Sequence, residues 1–292
     1  MAIPTVAIVS PGEMGAGIAG ALTRVAGCRV LTVLEGRSRE TVERARESGM
    51  IACADLGEMI AACELVLSVV PPAIAARTAA EIARAMRSVD KRPDFVDCNA
   101  VSPDTLTEIA DGFAGLDARF IDAGIIGAPP GQNRPRLYVS GPRSAPLMAL
   151  DGIAFDIVLL GPNPGTASAM KMVYASITKG TNALLAAALV TAERNGLLEP
   201  LLAELQSSQA QLFRRAEANV SRLPADAARW APEMTEIART FDAAGMPGDI
   251  HRGTAAMMDF LARSEFGTET RRTQDRTRTM SQTIKAIAKG GK

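Results

Sequence analysis

The chain has 292 residues, enough for two domains with separate cores. It is 47% hydrophobic and 22% charged, with a formal net charge of zero, so nothing in its composition asks for nucleic acid or an anionic membrane as a partner. Aromatic residues make up only 4% of the chain, which argues against a base-stacking surface and leaves aliphatic side chains to fill the core.

Cysteine and histidine usage indicates a reducing compartment and no metal site. The four cysteines form no C-x-x-C pair, and the chain has a single histidine, so a zinc site is not expected. The first strand-like run begins close to the first residue, which leaves no room for a signal peptide. The longest strongly apolar run, Ala183 to Val190, is too short to cross a bilayer. We therefore expect a cytoplasmic protein.

The first half of the chain alternates strand-like apolar runs with helical patterns. The strand-like runs are Thr5–Val9, Arg29–Leu34, Ile51–Cys53, Leu65–Val69, Phe95–Asp97, Phe120–Ala123, Leu137–Val139 and Ile157–Leu160. The helical patterns are Glu13–Val25, Arg39–Ser48, Ala73–Arg87 and Pro103–Phe113. Strands joined by helical crossovers predict an α/β fold with a Rossmann-type, doubly wound and mostly parallel sheet.

The second half of the chain has a helical pattern throughout. The breakers at residues 161–165, Gly-Pro-Asn-Pro-Gly, mark a boundary, and we predict a sheet domain over residues 1–162 and an all-helical domain over residues 163–292. The predicted helices are Thr166–Asn195, Leu201–Val220, Pro232–Ala244 and Thr254–Arg263. From Glu269 to Lys292 the chain is polar and basic, which is typical of a solvated helix or a mobile tail.

The first strand runs into a glycine turn that is typical of dinucleotide binding. Ser10, Gly12, Glu13, Met14 and Gly15 lie between this strand and the first helical pattern. Two of the three glycines of G-x-G-x-x-G are present, and the first is replaced by serine. Such a turn brings the backbone close to a pyrophosphate, whose charge the helix N-terminus favours. We predict that these five residues bind the cofactor.

The end of the second strand bears on the choice between NAD and NADP. Glu35 suits the ribose hydroxyls of NAD, whereas Arg37 and Ser38 together suit the 2′-phosphate of NADP. We predict NADP, with NAD as the alternative; Glu35 must point away if NADP binds. Val70 and Pro71 follow the fourth strand, where the nicotinamide ribose would lie.

Three later positions are candidates for contact with the reacting groups. Asn99 follows the fifth strand, where its amide can bind a carboxylate, a carbonyl or the nicotinamide amide, while Asp97 is expected to be a structural cap. Gly124 and Gly127 belong to a small-residue loop whose backbone N–H groups can face a substrate; a plain turn between strands is the alternative.

The long helix carries a lysine suited to proton transfer. Lys171 lies about two turns into the pattern among apolar neighbours, so it either snorkels to water or is partly buried with a lowered pKa. Tyr174 and Lys179 share roughly its face. His251, the single histidine, is placed in a loop before a helix, as a structural residue or a substrate contact.

Four motifs together resemble the β-hydroxyacid dehydrogenase and 6-phosphogluconate dehydrogenase superfamily. Residues 10–15 are similar to its G-x-G-x-M-G turn, and residues 97–100, Asp-Cys-Asn-Ala, to its D-x-S-T motif or the asparagine-bearing variant. Residues 122–128 are similar to D-A-P-V-S-G-G, and residues 165–171 to the G-x-x-x-x-x-K run that carries the family's proton-transfer lysine. The resemblance covers roughly residues 5–180, and the second half looks like an uncharacterised branch with its own helical domain.

The resemblance implies an NADP-dependent oxidoreductase that transfers hydride between nicotinamide and a β-hydroxy acid or a related alcohol or keto compound. Lys171, Asn99 and Tyr174 are then the catalytic candidates. The substrate-binding candidates are Gly124, Ile125, Ile126, Gly127, Lys179 and His251. The superfamily's habit further implies a homodimer with the long helix at its seam and a small-molecule substrate.

Departures from the family pattern keep two alternatives open. Tyr174 and Ala175 stand where the family usually has asparagines, and Ile126 replaces the serine of its substrate loop, which favours a substrate with an apolar group. Imine reduction is one alternative, although relatives that perform it tend to lack the lysine. A dinucleotide-binding protein without catalysis is the other.

Overall fold

The computed structural model describes residues 3–25 and 27–290. Backbone contacts divide the chain into two compact units, Met1–Met172 and Val173–Lys292. This division lies ten residues beyond the sequence-based boundary at residues 162 and 163, inside a long helix that spans Thr166–Arg194. The first two turns of that helix are counted with the sheet because they pack on one of its strands.

The first unit is built on an eight-stranded sheet with the strand order β3-β2-β1-β4-β5-β6-β7-β8. The strands are β1 Val6–Ile8, β2 Val30–Val33, β3 Ile51–Cys53, β4 Leu65–Ser68, β5 Asp94–Asp97, β6 Phe120–Ile126, β7 Arg136–Ser140 and β8 Asp156–Leu159. All neighbouring strands are parallel except β6 and β7, which are antiparallel. The predicted α/β class is confirmed, and the switch point between β1 and β4 marks where such sheets bind ligands.

Six helices of the first unit flank the sheet. They are α1 Glu13–Thr23, α2 Arg39–Glu47, α3 Leu56–Ala62, α4 Pro72–Arg87, α5 Pro103–Asp111 and α6 Ala145–Met148. Helices α3 and α6 were not predicted, because both are too short for a clear apolar period. A capping signal precedes α3: the Asp55 carboxylate accepts from the Glu58 N–H at 2.8 Å, and Glu58 accepts from the Ala54 N–H.

Alternate residues along the strands enter two separate apolar cores. On one face, Ile8 and Ile121 pack with Ile18 of α1. On the other face, Phe95 packs with Ile82 of α4. All are fully buried, and burial of each such side chain contributes roughly 1.5–3 kcal/mol. The buried apolar side chains of the strands are therefore each committed to one of these two cores.

The regular elements among the described residues of the second unit are all helices, as predicted, and residues 263–279 are turns and irregular backbone. It holds most of the long helix α7 (Thr166–Arg194), followed by α8 Leu198–Ser208, α9 Ala210–Asn219, a short 3₁₀ turn Val220–Arg222, α10 Leu223–Ala243, α11 Asp249–Ala262 and α12 Met280–Gly290. The end of α7 agrees with its predicted end to within one residue.

Three helix bounds in this half were predicted wrongly. The pattern over 201–220 is two helices, because the backbone leaves the helical region at Gln209. Helix α10 begins well before Pro232 and contains it, whereas Pro224 lies in its first turn, where a missing N–H costs nothing. Helix α11 begins at Asp249, so His251 is helical rather than in a loop.

The basic C-terminal stretch is folded rather than a mobile or fully solvated tail. Helix α12 buries Met280, Ile284 and Ile287. Before it, the Arg278 guanidinium forms an ion pair with Glu269 at 2.6 Å. The stretch is therefore anchored to the helical unit by both apolar burial and charge. Its last residue, Lys292, lies outside the described residues.

Helix α7 is also the one described helix whose length and composition would suit a membrane span. A share of 44% of its most apolar window is buried inside the protein. The run 183–190 is too short to cross a bilayer, as expected. The whole of α7, however, is long and apolar enough to do so by length and composition alone.

Candidate functional site

The turn between β1 and α1 has the geometry that a pyrophosphate requires. Gly12 is the N-cap of α1, and a Cβ built on it would meet no atom within 4 Å, so that side is open to a ligand. A Cβ on Gly15 would lie 2.2 Å from the Ser10 carbonyl oxygen, so only glycine fits there. The first N–H groups of a helix have no partner within the helix. Glu13 is exposed at this end, and Met14 packs on the core.

A loop after β6 closes against the same helix. A Cβ on Gly17 would lie 2.7 Å from Pro129 Cβ and 3.2 Å from Pro130 Cδ. The diproline segment thus rests on α1 one turn beyond the glycine turn. The sequence analysis did not single out Gly17, because a glycine inside a helix carries no mark of the segment that will approach it.

The residues predicted to determine the preference between NADP and NAD lie beyond the carboxyl end of β2. Glu35, Arg37 and Ser38 are all exposed. The Arg37 guanidinium donates to the Val9 carbonyl oxygen at 3.3 Å, which holds it across the ends of β1 and β2. The Ser38 hydroxyl caps α2 by accepting from the Thr41 N–H at 3.3 Å. Ser38 therefore has a structural task as well as the predicted one.

Asn99 is a buried junction between β4 and β5. Its Oδ1 accepts from the Val70 N–H at 2.7 Å, and its Nδ2 donates to Ser68 Oγ at 3.0 Å and to Asp97 Oδ2 at 2.9 Å. The residue is 2% exposed. Both amide hydrogens are thus engaged within the protein, and contact of this amide with a substrate or the nicotinamide stays a prediction. Asn99 also positions Val70 and the exposed Pro71 at the end of β4.

Asp97 has a structural role, as expected, because it caps the backbone N–H of Asn99 and orients the side chain of that residue. Its two carboxylate oxygens accept from the backbone N–H and the side-chain amide of Asn99, each at 2.9 Å. Burial raises the pKa of Asp97 to about 7; the hydrogen bonds from Asn99 act in the opposite direction, and the charge of Asp122 adds to the rise. The carboxyl end of β5 therefore carries a group that titrates near neutral pH.

The segment after Ala123 is strand rather than the predicted small-residue loop. Strand β6 continues through Ile126, and Gly124 pairs with Tyr138 of β7. Gly124 and Ile125 are buried, Ile126 is half-buried, and the turn begins at the exposed Gly127, whose φ is +134°. A Cβ on Gly124 would lie 2.9 Å from the Ala167 carbonyl oxygen, so this glycine serves the close approach of α7.

The carboxylate of Asp122, which was given no role from the sequence, accepts hydrogen bonds from the N-terminal end of α7. Asp122 Oδ2 accepts from the N–H groups of Gly165, Ala167 and Ser168 at 2.8, 2.9 and 3.1 Å, and from Ser140 Oγ at 2.8 Å. Its Oδ1 accepts from Ser168 Oγ at 2.6 Å. We call this set of five hydrogen bonds the Asp122 anchor. A carboxylate at a helix N-terminus is favoured by both the free N–H groups and the dipole.

Lys171 lies on α7 directly beyond the Asp122 anchor. Its half-buried ammonium donates to the Ile125 carbonyl oxygen at 2.6 Å, at the carboxyl end of β6. The lysine therefore does not snorkel away along the helix but is held at the edge of the sheet where ligands bind.

The remaining candidates belong to the second unit. Tyr174 lies about one turn after Lys171 on α7 and is 44% exposed. Lys179 forms an ion pair with the buried Glu233, and its ammonium lies 5.0 Å from the Trp230 ring centroid. These contacts give Lys179 a structural role within the helical unit that the sequence analysis did not foresee.

His251 is a core residue of the helical unit. It is 5% exposed and packs edge-on against Phe241, with ring centroids 4.3 Å apart. Its Nδ1 has no hydrogen-bond partner within the part of the chain that the structure describes, and burial lowers the pKa of the imidazole. Its surroundings are those of a structural side chain, which was one of the two interpretations from sequence.

No metal centre is seen among the described residues: they contain no group of three or more His, Cys, Asp or Glu side chains placed to hold an ion. All four cysteines are free.

Two family models match the chain. Residues 5–146 match the NAD binding domain of 6-phosphogluconate dehydrogenase, and residues 192–261 match a domain of unknown function, DUF1932. The first match covers β1 through β7 and ends inside α6, and the second covers most of α8 through α11. The glycine turn and Asn99 thus belong to an NAD-binding domain.

Similar proteins span most of the chain. MTH1747, a conserved protein of unknown function whose structure is described as similar to 3-hydroxyacid dehydrogenases, is 31% identical over 88% of this chain and 96% of its own, with a TM-score of 0.64. A conserved hypothetical protein from Sinorhizobium meliloti is 26% identical over 99% and 97%, with a TM-score of 0.68. An uncharacterised 28.5 kDa protein from Methanothermus fervidus is 27% identical over 63% of this chain and 70% of its own.

More distant structures share the fold alone. A 3-hydroxyisobutyrate dehydrogenase from Mycobacterium tuberculosis is 18% identical over 97% of this chain and 98% of its own, with a TM-score of 0.67. An imine reductase from Streptomyces aurantiacus is 20% identical over 96% and 98%, with a TM-score of 0.53.

Proposed function

This chain belongs to the β-hydroxyacid dehydrogenase and 6-phosphogluconate dehydrogenase superfamily, in a branch that carries the DUF1932 domain, and from that premise we propose that it is an NADP-dependent oxidoreductase. It acts on a β-hydroxy acid or a related alcohol or keto compound. The observation that carries the proposal is the ammonium of Lys171 at the carboxyl end of β6, held by the Ile125 carbonyl oxygen.

The residues at the glycine turn fit a dinucleotide. The space beside Gly12 is open, the close packing of Gly15 keeps α1 against the turn, and the N-terminus of α1 favours a pyrophosphate. Arg37, exposed and held over the ends of β1 and β2, supplies a charge-assisted contact for a 2′-phosphate. This arrangement supports NADP over NAD.

Lys171 is the proton-transfer residue of the proposal. When bound, the nicotinamide would give or accept the hydride. In reduction the Lys171 ammonium donates a proton to the oxygen of the carbonyl as it becomes an alcohol; in oxidation the neutral amine takes that proton. The Ile125 carbonyl oxygen fixes the direction of the Nζ hydrogens before substrate arrives.

The loop beyond β6 supports a substrate with an apolar group. Ile126 stands where a hydroxyl donor would bind a carboxylate, and Pro129 and Pro130 have no N–H to donate. With these three donors absent and aliphatic surface in their place, this stretch favours uncharged groups over carboxylates.

The test is turnover of NADPH and NADP⁺ with a panel of keto acids, ketones, hydroxy acids and imines, followed by Lys171→Met. We expect the variant to lose about 10²–10⁴-fold in rate. Its affinity for NADPH should not change, since Lys171 lies away from the phosphate-binding turn. The matched control is Lys285→Met, which removes an exposed lysine of α12 that pairs with Glu199. Near-normal turnover by Lys171→Met would end the proposal.

A second candidate rests on Asn99. Its amide hydrogens are both engaged by Ser68 and Asp97, so one expected substrate contact would have to replace these hydrogen bonds. A dinucleotide-binding protein without catalysis would show NADPH binding and no turnover on any compound of the panel. Turnover of imines but not of carbonyl compounds would instead assign the chain to imine reduction.

A further inference from the structure

The Asp122 anchor lies less than one helical turn from Lys171. Ser168, which donates two of its five hydrogen bonds, precedes the lysine by three residues, about 4.5 Å of helix rise. Asp122, Ser140 and Ser168 are each at most 1% exposed. A rigid helical turn thus joins a buried, fully satisfied carboxylate to the ammonium.

Strand β6 sets the depth of the helix as well as its start. Asp122 and Gly124 are two residues apart on the strand. They lie on the same face, because successive side chains of a strand point to opposite sides. A Cβ on Gly124 would come within 2.9 Å of both the Ala167 carbonyl oxygen and Lys171 Cβ. The backbones of strand and helix therefore touch at the level of the lysine.

The same strand also receives the end of the lysine side chain, at the Ile125 carbonyl oxygen. Three successive parts of β6 therefore hold the helix start, the lysine Cβ and the lysine Nζ. Since the strand lies inside the sheet between β5 and β7, it cannot shift to follow a displaced helix.

We propose that Asp122 is a positioning residue for Lys171: it fixes the first turn of α7 on β6 so that the ammonium lies at the Ile125 carbonyl oxygen. The inference rests on the proposed function, because it assigns Asp122 a role through the proton-transfer lysine. It does not touch the substrate. The role is geometric, so it requires acceptor oxygens at position 122 more than it requires their charge.

The experiment compares Asp122→Ala with Asp122→Asn. The alanine variant removes the carboxylate that accepts from the N–H groups of Gly165 and Ser168, while the Ala167 N–H keeps Ser140 Oγ at 3.0 Å. We expect kcat to fall about 10²-fold, the effect of displacing a catalytic group by about 1 Å. The asparagine variant keeps one acceptor oxygen for the N–H groups, and its amide can donate to Ser168 Oγ. We expect it to retain most of kcat and the pH profile of the parent protein.

A matched control separates positioning from loss of stability. Asp94 is a buried carboxylate at the amino end of the neighbouring strand β5, where it pairs with Arg119 at 3.2 Å. Asp94→Ala should lower the unfolding midpoint and leave kcat unchanged. The affinity for NADPH, measured by titration, should be the same in all three variants.

A second variant keeps the test decisive if Asp122→Ala does not fold. Gly124→Ala forces a methyl group against the Ala167 carbonyl oxygen and Lys171 Cβ while the Asp122 anchor stays in place. We expect it to lower kcat and to shift the pH profile, because the ammonium must leave the Ile125 carbonyl oxygen.

Backbone amide exchange gives a readout that does not depend on activity. In Asp122→Ala the amides of residues 165–168 should exchange faster than in the parent protein. Faster exchange with unchanged kcat would overturn the positioning role, and so would an asparagine variant as impaired as the alanine one. If Lys171→Met itself kept normal turnover, the proposed function would fail first, whatever the Asp122 variants do.

Discussion

At the scale of single residues, the position of Arg37 leads to a prediction about the cofactor. Its guanidinium lies across the ends of β1 and β2, where a 2′-phosphate would be met by a charge-assisted hydrogen bond worth roughly 1.5–3 kcal/mol. Arg37→Ala should therefore weaken NADPH binding by about 10–100-fold and leave NADH binding nearly unchanged. Fluorescence titration of the bound reduced cofactors measures both.

Arg39→Ala is the control for the Arg37 prediction. Arg39 is an exposed arginine in the first turn of α2, where it pairs with Glu43. Arg39→Ala should leave the affinities for NADPH and NADH unchanged. Equal affinity of the parent protein for the two cofactors would contradict the NADP assignment.

The buried Asp97 predicts a pH-dependent stability. Its pKa is raised from 3.8 to about 7, so the folded state holds this proton more tightly than the unfolded chain. Unfolding releases the proton between these values, and the free energy of unfolding falls as the pH rises through that window. Above the folded pKa the cost of burying the carboxylate is complete.

Asp97→Asn removes this titration. Relative to the parent protein, the variant should gain stability with rising pH up to about pH 7, by on the order of 1 kcal/mol per unit. Urea unfolding followed by far-ultraviolet circular dichroism at several pH values measures the difference. Parallel stability curves for the two proteins would mean that Asp97 does not titrate in this range.

The sequence could predict residue types at the site but not their partners. Asn99, Lys171 and the glycine turn follow from motifs that are local in the chain. The partners that decide what those residues do lie far away in sequence: Val70 precedes Asn99 by 29 residues, and Asp122 precedes Ser168 by 46. No periodicity carries such pairings, so Asn99 was expected to be free for a substrate and Asp122 was given no role.

At the scale of elements, the strands were predictable because parallel strands are buried on both faces and appear as apolar runs. Ile51–Cys53 has the same bounds in both analyses. The predicted strand β6 ended at Ala123, because glycine at position 124 is typical of a strand end. In the structure the strand continues, and Gly124 allows the close approach of α7. At Gly124 the local propensity favours a strand end, whereas the packing against α7 favours a continued strand, and the packing determines the structure.

Helix bounds were less predictable where the breaking signal is weak or misleading. Gln209 separates α8 from α9 without glycine or proline. Pro232 lies inside α10, where it removes one backbone hydrogen bond and the helix continues. Such positions depend on contacts made by the rest of the helix, which a short sequence window does not contain.

At the scale of the whole molecule, an exposed apolar stripe on α7 leads to a prediction about assembly. Val173, Ile177 and Leu184 are 47%, 64% and 69% exposed, while Leu185 and Leu189 of the apolar run 183–190 are buried. We propose this stripe, which shares Leu184 with that run, as the surface of a homodimer. Its side chains lie on one face of the helix, at spacings near multiples of 3.6 residues.

Light scattering at micromolar concentration tests this assembly. The parent protein should have the mass of a dimer, and Ile177→Glu combined with Leu184→Glu should give a monomer, because charge in an apolar interface is costly. Val42→Glu is the control, since Val42 is also an exposed apolar side chain, at 38%, but lies on α2. A monomeric parent protein would exclude the dimer.

The packing of Trp230 beside Lys179 also has a practical consequence. It is the only tryptophan of the chain, and it belongs to the helical unit. Its fluorescence therefore registers the opening of that unit alone, with the nearby ammonium and carboxylate acting on the indole in the folded state. Circular dichroism averages over the whole chain. Comparing the two signals during denaturation shows directly whether the sheet unit and the helical unit lose their structure together or in sequence.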